Sequence, residues 1–238
     1  MENMKHLILF DVDGTLTPSR GTIDSEFKRW LETELNYEFH LITGSDPEKT
    51  QEQVGMDFWS NHVVYNCAAN HIFDHGKEVY RSVWKAPEDL ETMLNHRLSI
   101  SEYPTKTGRH IEHRVGLCNF SVVGRNATPE QRQEYYQWDQ QEREREKLAL
   151  MINEVWKDIE ATVAGETGID IYKKGTGKDQ ILARLGNYDS VNFFGDRMDP
   201  SGNDFSLAKT ILTNNRGNCY YVKNWQDCWR ILKEINAK

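Results

Sequence analysis

A chain of 238 residues with 38% hydrophobic content can bury a core domain of ordinary size and a smaller second one. Its 37 acidic against 29 basic residues give a net charge of -8, which argues against a nucleic-acid partner or an anionic membrane surface but leaves room for a local arginine cluster around a small anion. Met1 to His6 leads into only four apolar residues, Leu7 to Phe10, before Asp11, too few for a secretory core or a membrane span, so no membrane association and a cytoplasmic setting are expected.

The run Leu7-Ile8-Leu9 predicts a buried strand that opens into a loop at Asp11. Ile23, Phe27, Trp30, Leu31 and Leu35 recur at helical spacing and lead to a second strand over Tyr37 to Ile42, so strand, helix and strand form a parallel unit. Asp46 before Pro47, with Gly55 behind, predicts a capped helix over 47–54. Val63 to Tyr65 reads as a third strand, and Ile72-Phe73 and Val79-Tyr80 read as a hairpin around Asp74-His75-Gly76.

From about Ser82 to Lys174 the pattern changes to polar helical stretches and alternating strands, and the charge density of Gln131 to Lys147 predicts a largely solvated segment. Val115-Gly116 is the expected turn between Arg109 to Arg114 and Leu117 to Val123, in which successive side chains point to opposite faces. The parallel core resumes with a short helix over Lys178 to Leu185 ended by Gly186, then the apolar strand Val191 to Phe194 running into Gly195-Asp196. Cys219 to Val222 gives a late strand, and Trp225, Cys228, Trp229 and Leu232 stripe a closing helix with Asn224 as its N-cap. The fold class is therefore α/β, a Rossmann-like parallel-sheet core over 1–81 and 177–238 with an inserted α+β cap over 82–176. Cys67, Cys118, Cys219 and Cys228 show no Cys-x-x-Cys spacing and are expected as free thiols.

In a doubly wound sheet, ligands bind beyond the carboxyl ends of the strands, so polar residues just after apolar runs belong together. They are Asp11 and Asp13, Thr43-Gly44-Ser45, Lys178 at the head of its helix, and Asp196 with Asn203 and Asp204. Two ionised carboxylates about 4 Å apart repel by roughly 4 kcal/mol at an effective dielectric near 20, so Asp11 and Asp13 call for a cation or a shared proton, and magnesium suits hard oxygen ligands beside a phosphate. Two other motifs fail on spacing. Gly175-Thr176-Gly177-Lys178 lacks the leading glycine of a nucleotide-binding loop, having Tyr172 there and Asp179 in place of Ser or Thr, and the odd spacing of His110 and His113 sends them to opposite faces of a strand, against a zinc site.

The order and content of the four acidic and basic segments resemble the haloacid dehalogenase (HAD) superfamily of phosphotransferases. That resemblance implies that Asp11 is the nucleophile, that Asp13 is the general acid and base and lends its carbonyl to magnesium, and that Thr43, or else Ser45, binds phosphoryl oxygens. Lys178 would neutralise charge and Asp196 would bind the metal with support from Asn203 and Asp204. Further segments are similar to the eukaryotic-type phosphomannomutases: residues 13–20, Gly44 to Lys49 with Gln51 to Gln53, Arg109 to Arg114 with Asn119, Ser121, Gly124-Arg125 and Arg132, and Phe193 to Asp196 with Pro200 to Asp204. This narrower resemblance implies Arg20, Arg114, Arg125, Arg132 and Asp170 as substrate contacts. It also implies a hexose phosphate substrate, a hexose 1,6-bisphosphate activator, a homodimer through the cap and a place in GDP-mannose biosynthesis. The chain departs from the family pattern at Gly168, where a serine is expected, at Gly177, where an acidic residue is expected, and at Met198-Asp199. A mutase is the leading expectation; the same core with water as acceptor would be a sugar-phosphate phosphatase, and a chain without turnover would be a sensor, against which the intact Asp11, Asp13, Lys178 and Asp196 argue.

Overall fold

The computed structural model describes residues 5–186 and 188–237; residues 1–4 lie outside it, and with them most of the lead-in on which the expectation about a targeting segment rested. Strand β1 (His6–Asp11) is followed by α1 (Ser25–Thr33), β2 (Glu38–Ile42), α2 (Pro47–Val54), α3 (Met56–Ser60), β3 (Val63–Asn66), β4 (His71–Asp74) and β5 (Lys77–Arg81). Asp24 caps α1 by accepting the amides of Glu26 and Phe27, and Asp46 caps α2 by accepting that of Lys49 at 2.8 Å. Next come α4 (Glu88–Ile100), β6 (Ile111–Arg114), β7 (Leu117–Phe120), α5 (Pro129–Glu142), α6 (Glu144–Val155), β8 (Ile159–Ala164) and β9 (Gly168–Lys173). A 3₁₀ turn (Lys178–Ala183), β10 (Ser190–Gly195), α7 (Phe205–Thr213), β11 (Cys219–Tyr221) and α8 (Trp225–Asn236) complete the order, with Asn224 capping α8 through the amide of Asp227.

Seven strands form one sheet in the order β11-β10-β1-β2-β3-β4-β5, parallel from β11 to β3 and closed by the antiparallel β3-β4-β5 meander. Strand β1 is central and covered on both faces: Ile8 and Phe10 pack with Phe27, Leu31, Phe58 and Leu232, while Leu7 and Leu9 pack with Ile181, Leu207 and Ile211. That double burial is why its sequence is an unbroken apolar run. No helix among the described residues is long and apolar enough to cross a membrane, and all four cysteines are free thiols.

A second, antiparallel sheet runs β6-β7-β9-β8. Its period-two alternation separates two environments. Ile111, Cys118, Phe120, Ile159, Ala161, Ile169 and Ile171 pack with Leu90, Leu94, Tyr135, Leu148 and Ile152 from the helices above. The other parity, Glu112, Arg114, Leu117, Asn119, Asp170 and Tyr172, therefore faces the seven-stranded sheet, where Leu117 and Tyr172 meet Cys67 and Ala68.

Two expectations are corrected. The segment after Gly177 is a 3₁₀ turn that stops at Ala183 rather than a helix to Leu185. Gln131 to Lys147 is not uniformly solvated: Arg132, Tyr135, Asp139 and Arg145 are buried, because Arg143 adopts a left-handed backbone (φ 53°) and turns α6 back against β8. Asp139 accepts the Arg145 amide at 2.9 Å and its Nε at 2.7 Å, and Arg145 Nη1 donates to the Gly165 carbonyl at 3.0 Å. Removing one member strands the other as a buried charge. Arg145→Met is expected to destabilise the protein by about 3–5 kcal/mol, and the double variant Asp139→Leu/Arg145→Met by distinctly less, as read from urea denaturation.

Candidate active site

Asp11 is the last residue of β1, an interior strand covered on both faces, so its carboxylate emerges at the carboxyl edge of the sheet while remaining only 4% exposed. The chain then turns at once: the amides of Leu16 and Thr17 both donate to the Val12 carbonyl at 3.0 Å. Gly14 sits in this turn at φ 82°, and a Cβ there would come within 2.5 Å of Asp196 Oδ2, so a side chain is excluded twice over. Lys178 Nζ donates to Asp11 Oδ1 and to Asp204 Oδ1, each at 2.6 Å, and Thr15 donates its hydroxyl to Asp11 Oδ2 at 3.3 Å. Asp204 Oδ2 accepts the Arg197 amide at 3.1 Å.

Asp11, Asp196 and Asp204 each offer an oxygen within 4.8 Å of the others, the one such acidic, histidine or cysteine cluster among the described residues. Burial, then the neighbouring carboxylates Asp204 and Asp196 working against Lys178, pushes Asp11 well above the usual carboxylate range. Burial and Asp204 push Asp196 up to about 7. Burial alone would lower the Lys178 ammonium, but Asp11 and Asp204 hold it above its ordinary value and therefore charged. Three carboxylates balanced by a single ammonium leave surplus negative charge in a dry pocket of hard oxygen donors, and the residues fit a divalent cation.

Asp13 is held from three sides: its Oδ1 accepts the Arg20 amide at 2.7 Å and Gln53 Nε2 at 2.9 Å, and its Oδ2 accepts the Ser45 hydroxyl at 3.2 Å. Thr43 Oγ1 accepts the Ser45 amide at 3.0 Å. Asp13, Thr43 and Ser45 line a cavity of about 370 Å3 between the two sheets, together with Asp11, Arg20, Arg114, Arg125, Arg132, Asp170, Asp196 and Asn203. Lys178 and Asp204 lie buried beneath it rather than on its wall. Neither His110, whose Nδ1 is 2.9 Å from the Ser121 carbonyl, nor His113, 3.6 Å from Glu91, belongs to the acidic cluster.

The cap side of the cavity is organised by groups that the sequence did not single out. Glu112 pairs with both Arg114 and Arg125. Asn119 donates to Asp170 Oδ1 at 2.7 Å, and Gly168 leaves room for it, since a Cβ at 168 would fall 2.8 Å from Asn119 Nδ2. The two sheets are joined across the cavity by Arg114 Nη1 on the Gly44 carbonyl at 2.6 Å, by the Val163 amide on the Ser201 carbonyl at 3.0 Å, and by Arg197 Nη1 on the Gly165 carbonyl at 3.3 Å. Glu112 carried a signal, being two residues before Arg114 on one face of a strand, and Gln53 lay at the end of a segment similar to the family's, without a role given to it; Arg197 carried none.

Residues 29–238 match the family described as eukaryotic phosphomannomutase. The chain is 31% identical over 251 aligned positions to the phosphomannomutase of Schizosaccharomyces pombe, covering 97% of this chain and 94% of that protein. It is 34% identical over 215 positions to human phosphomannomutase 1, covering 84% and 82%. The chain belongs to the eukaryotic phosphomannomutase family. The family match begins after Asp11 and Asp13, but an alignment over 97% of the chain takes both in. Among solved structures, the C-terminal domain of Candida albicans trehalose-6-phosphate phosphatase shares the fold with a TM-score of 0.65 at 16% identity, over 99% of this chain and 93% of that one. An IMP-bound IMP-nucleotidase of Plasmodium falciparum does so with a TM-score of 0.61 at 17% identity, over 100% and 69%. At those identities the likeness concerns the fold alone, a HAD-type parallel-sheet core.

Within this phosphomannomutase-family site the raised carboxylates set a pH dependence. Both bind more protons folded than unfolded between pH about 4 and about 7, so metal-free protein is expected to lose stability as pH rises through that window. Magnesium chloride is expected to raise the melting temperature more at about pH 8 than at about pH 5, where protons compete for the same oxygens. Asp196→Asn should flatten both trends in a calorimetric scan, and an Asp196→Asn protein as responsive to magnesium as wild type would remove this carboxylate from the ion's site.

Proposed function

We propose that the protein is a magnesium-dependent phosphomannomutase, interconverting mannose 6-phosphate and mannose 1-phosphate through an aspartyl phosphate on Asp11 and a hexose bisphosphate. One observation carries the reading: a single cavity has a lysine-paired carboxylate and an acidic cluster on one wall and three cap arginines, Arg114, Arg125 and Arg132, on the other. A phosphatase acting on a small substrate needs the first wall; a mutase, which must grip one phosphate while the other reacts, needs both. The seven-stranded unit, 1–81 and 177–238, then acts as the catalytic core and 82–176 as the substrate-binding cap.

In this reading a sugar hydroxyl attacks the phosphorus of phosphorylated Asp11, its proton passes to Asp13, and the Asp11 carboxylate leaves, giving the hexose bisphosphate. The bisphosphate turns, the Asp11 carboxylate attacks phosphorus at its other end, and Asp13 returns the proton to the departing sugar oxygen. Gln53, the Arg20 amide and Ser45 fix Asp13 for this exchange, Lys178 offsets the charge between Asp11 and the phosphoryl oxygens, and Thr43 is placed to bind one of those oxygens. Asp11, Asp196 and Asp204, with Asn203 and the Asp13 carbonyl, would hold magnesium, which when bound supplies neutralisation of phosphoryl charge. The cap arginines and Arg20 with Asp170 bind the distal phosphate and the sugar. A hexose 1,6-bisphosphate as primer, a homodimer through the cap, a cytoplasmic location and a supply role for GDP-mannose belong to the same reading.

Incubation with mannose 1-phosphate, magnesium and a hexose 1,6-bisphosphate, followed by phosphorus NMR, is expected to yield mannose 6-phosphate without free phosphate. Asp11→Asn should lower that turnover by about a thousandfold or more. Stoichiometric inorganic phosphate with no isomer would replace the mutase with a sugar-phosphate phosphatase, and unchanged turnover in Asp11→Asn would remove the aspartyl phosphate.

A further inference from the structure

Glu112 puts a negative charge where the phosphoryl chemistry asks for none. It sits on the core-facing side of β6, two residues before Arg114, with its side chain 18% exposed. A single oxygen, Oε1, accepts Arg114 Nε at 2.7 Å, lies 2.5 Å from Arg114 Nη2, and accepts Arg125 Nη2 at 2.7 Å. Both guanidiniums thus point their forks at one atom. Arg114 spends its remaining terminal nitrogen on the Gly44 carbonyl across the cavity, so the Glu112 contact occupies the N–H groups it would otherwise offer a ligand. Nearby, Arg132 has a buried Nη1 with no hydrogen-bond partner and only a loose pairing with Glu166 at 3.8 Å. Burial and the adjacent Arg114 push the Arg125 guanidinium down to about 10, a mark of cations crowded in a desolvated place.

A pair of arginines serving only to bind phosphate would bind it more tightly without a carboxylate between them, because the carboxylate claims the same donors and repels the incoming anion. Tight binding has a cost for an enzyme whose intermediate must let go at one end and be caught at the other within each turnover. We infer that Glu112 is an internal competitor for the distal phosphate: it holds the Arg114–Arg125 fork while the phosphate is away and reclaims it as the bisphosphate turns. Glu112 is in this sense a positioning residue that exchanges phosphate affinity for turnover. The inference rests on the mutase reading above.

Glu112→Gln keeps the shape and a carbonyl acceptor but removes the charge. In calorimetry on the magnesium-loaded protein, inorganic phosphate is expected to bind about tenfold more tightly to the variant than to wild type. In the mutase assay KM should fall and kcat should fall about tenfold, with inhibition by excess hexose 1,6-bisphosphate appearing at lower concentration. Glu112→Asp retains the charge and should keep phosphate binding weaker than in Glu112→Gln, a partial return toward the wild-type affinity in calorimetry. A residue that merely braced the arginines would give the opposite sign, with weaker phosphate binding and a raised KM, and that result would overturn the inference. If Glu112→Gln does not fold, Glu112→Ala carries the same expectation of tighter phosphate binding. Because the calorimetric arm requires no turnover, a Glu112→Gln protein that binds phosphate no better defeats the inference even in an active mutase. A wild type that only releases phosphate instead defeats the function reading, and tighter phosphate binding by Glu112→Gln would still uphold the competition.

Discussion

A fully buried ammonium shared between two carboxylates holds this site together. Lys178 reaches Asp11 across 167 residues of sequence and Asp204 across 26, so one side chain ties the end of β1 to the loop before α7. Its ionic hydrogen bonds are made where water cannot substitute, and loss of the ammonium would leave Asp11, Asp196 and Asp204 facing one another with only the Arg197 guanidinium, near Asp196, to offset them. The segment that separates β1 from Lys178 contains the whole four-stranded sheet, so the surroundings of Asp11 are complete only when the chain has gone out through that sheet and come back. That arrangement places the Asp11 carboxylate and the covering sheet in one topological unit.

The loop after β10 carries two tasks in nine residues of chain. Asp196 and Asp204 belong to the acidic cluster, while Arg197 and Ser201 bind backbone atoms at Gly165 and Val163 on the β8 end of the cap sheet. At the opposite edge Arg114 binds Gly44. The cap sheet is therefore anchored to the core at both edge strands, once by the loop that bears the candidate metal ligands and once by a candidate phosphate ligand. The two anchor points are joined by a sheet of paired strands rather than by a flexible linker.

Much of the core was legible because physical rules tie sequence position to place. Apolar runs ending in Asp11, Thr43 and Asp196 had to be parallel strands covered on both faces, and the residues after them had to meet at one edge. The helix over Pro47–Val54 was set by its cap residues alone. The cap was read less well. Its arginines emerged through resemblance, and the fate of each depended on strand pairing that no local pattern encodes: Arg114 is in the site because Leu117 opposite it faces the core. Asp139 and Arg145 looked solvated because charge density favours water, yet each found its counter-ion six residues away and so could be buried. Gln53 steadies Asp13 from 40 residues off, and Arg197 acts through a carbonyl on another sheet, and neither relation leaves a trace in local sequence.

The cavity is electrically lopsided in a chain that is acidic overall. Carboxylates crowd its core wall and guanidiniums its cap wall, so an anion is drawn to the cap and repelled by the core unless a cation sits there. In the mutase reading, a substrate with one phosphate is therefore oriented by charge before any sugar hydroxyl is read, with its phosphate at the arginines and its free hydroxyl toward Asp13. A substrate with two phosphates is not so oriented, since either end can take either wall, and this ambiguity is what an isomerase needs from its intermediate. The same lopsidedness would trap that intermediate if the cap wall were purely basic. A carboxylate set between the two arginines softens the trap without removing it, which makes Glu112 on the cap wall the counterpart of Lys178 buried beneath the core wall: each bridges two groups of the opposite sign.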